Sequence, residues 1–473
     1  MDKFDVVIAG AGIGGIVCGA LLVKKGVSVA IFERQDKPGG CCTSFSAEGY
    51  TFDSCIDSIG CLKKGEPLRN ALEELRVLNE IDLIELNPIR RNLFPGLIVD
   101  ISSDLEQYQS ELKRIFPKEA EGISKAFIVM NDIYTRSNET IISESAGFDL
   151  QFWVGRTFED LLGNYINDPR LKAVLSSYCN FLGLPTGEVS AISAANILMH
   201  YLKGGAFRVR GGIQKLIDSL IKEFESYGGK VYLGNGVKKI RSKKNKGISV
   251  ETEKSGEIEA DKFVSAMDLK ALLGSIVDST AFDREKIKRI NSLNVSGSFI
   301  IVYLGLDYDL SRYDLVSSMG YFSSFDTEAM LNKDDKVSFG ISFPSLLDRT
   351  ISPAGHSSVV IHWPFCYNKS FGKPDKEVVA DKLIVALETL ISGFRKHIVY
   401  RSMADADSLY RYTGNCQGAA YGWKQDTELF QNLALFRNIA DNFYVVGHWA
   451  GYGGGIMPSI LSAVKVANEI TGR

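Results

Sequence analysis

The sequence predicts an α/β protein in which a parallel-sheet domain is assembled from separated segments and interleaved with an α+β domain. Three observations predict it. The first residues read strand, glycine turn, helix, strand. The middle of the chain carries a glycine-led helix followed by a run of strands. The last part reads strand, glycine-rich loop, helix.

Phe4 to Ala9 is FDVVIA, an apolar run suited to a strand buried on both faces. The turn Gly10-Ala11-Gly12-Ile13-Gly14-Gly15 follows at once. A helix from Ile16 to Lys25, a stop at Gly26 and a strand from Val27 to Phe32 then lead to Glu33. In such a unit Gly10 allows the tight turn, Gly12 lets the backbone approach a pyrophosphate, and Gly15 lets helix and strand pack closely. The helix N-terminus offers unpaired N–H groups and a positive dipole end to phosphates. Ile13 and Gly14 are therefore counted with the binding positions. Glu33 can accept from ribose hydroxyls, and its charge disfavours a 2′-phosphate. Arg34 stands next to it. A lone G-x-G-x-x-G is weak evidence; here strand, turn, helix, strand and terminal acid occur in order. The competing reading is a glycine-rich turn with no ligand.

An NAD domain would continue into another βαβ repeat. This chain instead enters a second glycine turn, Gly39-Gly40, and a hairpin-like segment from Ser44 to Asp53. The extended pattern resembles the fingerprint of the glutathione-reductase-like flavoproteins, in particular their amine oxidase and phytoene desaturase branch. The resemblance implies a Rossmann-like domain, FAD as cofactor, and Gly39 and Gly40 lying along it. Cys41 and Cys42 read as small packing residues beside the flavin, with a thiol–flavin contact as the alternative. Cys55 stands where the family often has glycine.

Gly211-Gly212 opens the second segment, a helix from Ile213 to Tyr227 with Leu216, Leu220 and Phe224 on one face. Gly228-Gly229 ends it, and strands follow at Lys230–Leu233, Gly236–Arg241, Gly247–Glu253 and Glu257–Ser265. The resemblance places the backbone of Val237 beside the adenine. The lysine-rich stretch from Lys238 to Lys246 reads as a solvated hairpin tip. The third segment has a strand at Asn442–Val446, the loop Gly447-His448-Trp449 through Gly455, and a helix from about Ser459 to Ile470 after Pro458. A glycine loop feeding a helix N-terminus makes a second anion or carbonyl site. The resemblance aims Gly455, Ile456 and Met457 at the flavin carbonyl and sets Gly447 and His448 beside the ribityl chain.

Composition narrows the partners. The formal net charge is −3 and the basic residues are scattered, which argues against nucleic acid. The eight cysteines include no CxxC pair, and the five histidines are dispersed, so no metal site is expected. Met1-Asp2-Lys3 runs straight into a strand without an export signal, which predicts reduced thiols and a cytoplasmic setting. No apolar run is long enough to cross a bilayer, while peripheral contact with a membrane stays open.

Stretches outside the nucleotide site resemble the phytoene desaturase, carotenoid isomerase and retinol saturase group. They are Leu86–Asp100 (LNPIRRNLFPGLIVD), Arg114–Ala120 (RIFPKEA), His200–Gly212 (HYLKGGAFRVRGG), Phe343–Gly355 (FPSLLDRTISPAG) and Gly418–Gly422 (GAAYG). Val209 departs from a usual proline, and Met457 before Pro458 displaces the proline by one position. The resemblance implies an FAD-dependent oxidoreductase acting on carbon–carbon double bonds of a long apolar polyene or isoprenoid, by desaturation, saturation or cis–trans isomerisation. The alternatives are an amine-oxidase-like enzyme acting on C–N bonds and a non-catalytic FAD-binding protein. Flavin-side catalytic candidates are His448, Trp449 and Tyr452. Arg208 and Arg210 meet a polar substrate end or are surface charge. Only one dinucleotide fingerprint is visible, so electrons exchange with an external donor or acceptor or return to the substrate. The expected partition is 1–62, 204–291 and 418–473 for the FAD domain, with 63–203, largely helical, and 292–417 for the substrate domain.

Overall fold

The run KFDVVIA forms the strand Lys3–Ala9 at the centre of a seven-stranded sheet. The computed structural model describes residues 3–143, 150–243, 247–277, 283–326, 337–365, 374–437 and 439–472. Along this sheet lie Lys230–Tyr232, Val29–Phe32, Lys3–Ala9, Gly256–Ser265, Gly247–Thr252 and Val237–Lys243, and Phe443–Val445 also pairs with Gly256–Ser265. Pairing is parallel from Lys230–Tyr232 through Gly256–Ser265 to Phe443–Val445, and antiparallel in the meander from Val237 to Ser265. The carboxyl ends of the parallel strands therefore deliver Gly10, Glu33, Ala266 and Gly447 to one edge, the edge at which open α/β sheets take ligands.

The first helix, Ile13–Lys24, is buried from Ile13 to Val23 because it packs between the helices Gln214–Ser226 and Ile456–Thr471. Close packing explains Gly19: a Cβ there would meet the Phe224 ring at 3.0 Å and Ile31 at 3.1 Å. The helix begins at Ile13 rather than Ile16, because Gly12 caps it in an extended conformation and the last half of the glycine turn is already helical. The last helix likewise begins at Ile456 rather than Ser459. Pro458 is accommodated in its first turn, where a missing N–H breaks no helical bond.

A second seven-stranded sheet runs in the order Ile398–Ala404, Ser298–Leu306, Ser357–Phe365, Ser338–Ser342, Ser318–Phe322, Arg90–Phe94 and Leu97–Ile101. Its last two strands lie inside the stretch expected to be largely helical. RRNLF and LIVDI alternate in burial with a period of two, and they extend the sheet through a parallel pairing with Ser318–Phe322. The helix Lys376–Leu390 covers one face of this sheet through Ala380, Leu383, Ile384 and Leu387. The remainder of that stretch does form helices, among them Leu105–Ile115, Ala120–Ser143 and Ala191–Gly204. In a small third sheet Ala206–Val209 pairs with Ile59–Gly60 and Leu83–Glu85. The tip of the lysine-rich hairpin, residues 244–246, and Cys366 lie outside the described residues. Among the described residues no helix is long and apolar enough to cross a membrane.

Candidate active site

One cavity of about 1140 Å3 opens at the strand-end edge of the first sheet and reaches the face of the second. That exceeds the roughly 300–1,000 Å3 of an ordinary small-molecule pocket and leaves room for more than one ligand. Its lining includes Gly10, Gly12, Ile13, Gly14, Glu33 and Arg34 from the first unit, with Gly39 and Gly40 beyond them. Val237, Gly447, His448, Tyr452, Gly455, Ile456 and Met457 line it from the other segments. Residues far apart in sequence thus converge on one wall.

Gly15 and Trp449 do not line it. A Cβ on Gly15 would sit 2.3 Å from the Gly10 carbonyl oxygen, so the absence of a side chain at Gly15 serves helix-to-strand packing. Trp449 corrects the expectation of a flavin-side residue: it is buried, its Nε1–H donates to Asn415 Oδ1 at 3.1 Å, and its ring meets Trp423 edge-on at 4.9 Å. It braces the loop from behind. Gly14 does more than face the cavity, because a Cβ there would lie 2.9 Å from the Gly447 nitrogen. Glycine at that position lets the first helix touch the third segment.

Two long helices that start at the cavity wall are capped by Gly12 and Gly455, and neither has a side-chain cap. Many other helix starts are closed by side chains: Asp104, Thr157, Asp168, Ser190, Asp283 and Asp375 all accept first-turn N–H groups, although Glu66 ahead of Pro67–Glu74 and Ile213 ahead of Gln214–Ser226 supply no such cap either. The cavity-facing starts therefore hold orphan donors and positive dipole ends for a ligand to satisfy. A Cβ on Gly12 or on Gly455 would meet no protein atom within 4 Å, so the space in front of both is open. Glu33 accepts from the Ala11 N–H and the Gln35 N–H, each at 2.8 Å, and so locks the glycine turn to the end of the neighbouring strand. Each carboxylate oxygen keeps acceptor capacity for a hydroxyl. Arg34 is tied back by Nη2 to the Arg411 carbonyl at 3.1 Å. Paired uncapped helix starts, an open glycine approach and an acceptor at the strand end fit a bound dinucleotide.

His448 is half-buried, with Asn415 Nδ2 at 3.5 Å from its Nε2. Burial holds its pKa at about 4, so the imidazole is neutral near pH 7 and is no store of protons there. Cys41, Cys42 and Cys55 all line the cavity. The Cys41 thiol is lowered by its hydrogen bond with Cys55, the Cys55 thiol is correspondingly raised, and burial raises Cys42.

Sequence reasoning missed a buried polar cluster where the cavity meets the second sheet. Arg208 is neither surface charge nor free: Nη2 lies 3.2 Å from Asp57 Oδ1 and Nη1 lies 3.8 Å from Asp53 Oδ2. Arg210 pairs outside with Asp82 at 2.5 Å. Asp57 also accepts from Ser318 Oγ at 2.6 Å and from Ser342 Oγ. Burial pushes its carboxyl up, but Arg208, His362, Arg90 and Ser318 together outweigh that and hold it below the usual range. Asp53 accepts from the Ile213 N–H at 2.8 Å, and Asp348 accepts from the Gly211 N–H at 2.6 Å. Stretches 137 and 160 residues apart that carry the family resemblance thus meet around Arg208. The usable signal was Asp57, an acid five residues after an apolar strand position, but nothing in the chain links it to Arg208.

The family pattern described as flavin containing amine oxidoreductase matches residues 13–471, and the chain belongs to that family. It is an FAD-dependent oxidoreductase. Among its relatives is a 4,4'-diapophytoene desaturase (4,4'-diapolycopene-forming) of Methylomonas sp, 24% identical over 98% of this chain and 94% of that protein. Another is the chloroplastic prolycopene isomerase of Daucus carota, 24% identical over 99% of this chain and 80% of that protein. Among solved structures, wild-type putrescine oxidase bound to putrescine aligns over 100% of both chains with a TM-score of 0.72 at 16% identity, a likeness of fold.

Proposed function

We propose that this protein is an FAD-dependent oxidoreductase acting on carbon–carbon double bonds of a long apolar polyene or isoprenoid, by desaturation, saturation or isomerisation. The observation that carries the reading is the continuous cavity running from the glycine turn to the second sheet, with apolar walls contributed by Ile197, Phe299, Ile301 and Phe430. The relatives named above, aligned nearly end to end, support it.

FAD, when bound, supplies hydride transfer. The protein binds, orients and excludes water. The first-turn N–H groups of Ile13 and Gly14 would hold the pyrophosphate, Glu33 the ribose and the Val237 backbone the adenine. Gly447, His448, Gly455, Ile456 and Met457 would hold the flavin end, with His448 as a neutral hydrogen-bonding group. Tyr452, partly buried between two cores, walls the reacting space. We assign 1–62, 204–291 and 418–473 to the cofactor domain and 63–203 with 292–417 to the substrate domain. An apolar substrate stored in bilayers fits peripheral membrane contact, and the lone dinucleotide fingerprint fits an external electron donor or acceptor.

The test is incubation of the FAD-loaded protein with linear C30 and C40 polyenes in lipid vesicles, followed by chromatography and mass spectrometry. The reading expects a loss or gain of two hydrogens, or a shifted spectrum at constant mass. Unchanged polyenes under oxidising, reducing and anaerobic conditions contradict it.

A further inference from the structure

Three of the described cysteines line the cavity: Cys41, Cys42 and Cys55. Cys18, Cys61 and Cys179 are buried elsewhere, and Cys416 does not line it. One hairpin gathers the three. Ser44–Ala47 pairs with Tyr50–Asp53, with Ser44 opposite Asp53. The pairing runs on past that end, because the Ser54 N–H donates to the Thr43 carbonyl at 2.8 Å and Thr43 Oγ1 donates to Ser54 Oγ at 3.1 Å. Cys41 and Cys42 on one side therefore meet Cys55 on the other. A tight turn then parts the two neighbours. Gly39 and Gly40 take φ of 126° and 60°, and the Cys42 N–H donates to the Gly39 carbonyl at 3.0 Å. Cys42 is 3% exposed and joins the apolar core. Cys41 and Cys55 stay half-buried and share a thiol–thiol hydrogen bond.

The pair stands beside both glycine walls. The Gly39 N–H donates to the Ala11 carbonyl at 2.8 Å, and a Cβ on Gly40 would lie 3.4 Å from the Gly12 Cα. Tyr421, also on the cavity wall, packs on the other glycine loop, since a Cβ on Gly454 would lie 2.4 Å from the Tyr421 Cβ. Both thiols act electrostatically on the Tyr421 hydroxyl. Cys41 and Cys55 thus face the span of cavity between the two helix starts assigned above to FAD. A cysteine that only fills space is sealed among apolar neighbours, as Cys18 and Cys42 are, and is inert. These two open instead on the cavity and on each other. The bond from Cys55 lowers the Cys41 thiol although burial opposes it, and the thiolate is the reactive form of cysteine.

We propose that Cys41 and Cys55 form a redox dithiol that exchanges two electrons with the bound FAD, so that the protein stores a second pair of reducing equivalents beside the flavin. On oxidation one S–S bond forms as two S–H bonds break, and the two electrons and two protons released pass to oxidised FAD. Transfer in the opposite direction reopens the S–S bond and oxidises the reduced cofactor. The pair holds electrons between encounters with the external donor or acceptor and with the substrate. This role needs FAD at the site and is independent of which substrate the flavin acts on.

The test begins with the apoprotein, oxidised with diamide, unfolded, alkylated and digested with chymotrypsin, which cuts the hairpin at Phe45, Tyr50 and Phe52. Mass spectrometry should find Cys41 and Cys55 in one linked species two hydrogens lighter than the separate peptides, with Cys42 alkylated. The diamide-treated, desalted holoprotein is then titrated anaerobically with dithionite. Full reduction should take about four electrons per flavin, two for the cofactor and two for the S–S bond, and about two in Cys41→Ser and in Cys55→Ser. Cys42→Ser should keep about four. Flavin content and thermal midpoint check that each variant is folded and loaded. Alkylated Cys41 and Cys55 in the oxidised apoprotein, or a link from Cys55 to Cys42, overturns the pairing without recourse to any variant. Uptake of about two electrons by the unaltered holoprotein, or of about four by either single variant, overturns the exchange with FAD. Each of these outcomes leaves the polyene reading where it stands.

Discussion

Gly12 and Gly15 lie three residues apart in one turn, and the structure gives them opposite sensitivities. At Gly12 the backbone is extended, with φ −71° and ψ 166°, and a Cβ would meet no protein atom within 4 Å. Gly12→Ala should therefore fold normally. The loss of unfolded-chain freedom favours alanine by about 0.4–1 kcal/mol, and the poorer helix cap offsets it. The added methyl projects into the cavity in front of the uncapped helix start. If it displaces phosphate from two N–H groups at about 1.5–3 kcal/mol each, FAD affinity falls roughly 10²- to 10⁴-fold. Gly15→Ala presents the reverse case. Its methyl would lie 2.3 Å from the Gly10 carbonyl oxygen and 3.0 Å from the Ala266 Cβ. Overpacking of that kind costs about 1–3 kcal/mol. The assay is flavin titration of the apoprotein by fluorescence quenching, paired with the apoprotein melting temperature. Gly12→Ala should lose flavin at an unchanged midpoint, whereas Gly15→Ala should lower the midpoint. A Gly12→Ala protein that purifies with its full flavin complement refutes the assignment of this turn.

Glu33→Gln should weaken FAD binding and destabilise the apoprotein by about 1–2 kcal/mol, since one of two backbone N–H groups now faces an amide donor; titration calorimetry and urea melts check it. Trp449→Phe should cost about 2–4 kcal/mol of stability, by emptying core volume and stranding Asn415 Oδ1, while kcat stays at the unaltered value. A large kcat loss at full flavin loading would return Trp449 to the reacting space. His200, His362 and His448 are each held by burial at about 4 rather than 6.5. Between those values the unfolded chain binds protons that the folded chain does not, so these groups make stability fall as pH drops through that window. His448→Gln should flatten the decline in urea midpoint between about pH 6.5 and about pH 4 by one group's share.

The nucleotide half was legible because its chemistry is local. Gly10 through Glu33 carries its own turn, helix and strand signals, and Gly447 through Met457 carries a second glycine loop and helix start. Element ends were misplaced where glycines were read as loop although the chain already turns helically, at Ile13 and Ile456. Arg90–Phe94 and Leu97–Ile101 went unread as strands because their helical surroundings dominated a short period-two pattern. The polar cluster was illegible for a different reason. Asp57, Arg90, Arg208 and His362 sit in four separate stretches, on two different sheets and a loop, and only the packing of those elements makes them neighbours. Trp449 shows the converse limit: adjacency to His448 in sequence placed it at the flavin, while the turn at Gly447–Trp449 sends its ring into the core.

The most direct measurement is anaerobic mixing of the oxidised holoprotein, and of holoprotein first reduced with dithionite, with a linear polyene in vesicles or with primary amines, followed by the flavin spectrum and the masses of the products. The polyene alone should be transformed, with bleaching of the oxidised flavin, with reoxidation of the reduced flavin, or with its bonds rearranged at constant mass, and amines should leave the oxidised flavin unchanged. Flavin bleached by an amine, with every polyene recovered unchanged, would contradict the polyene reading.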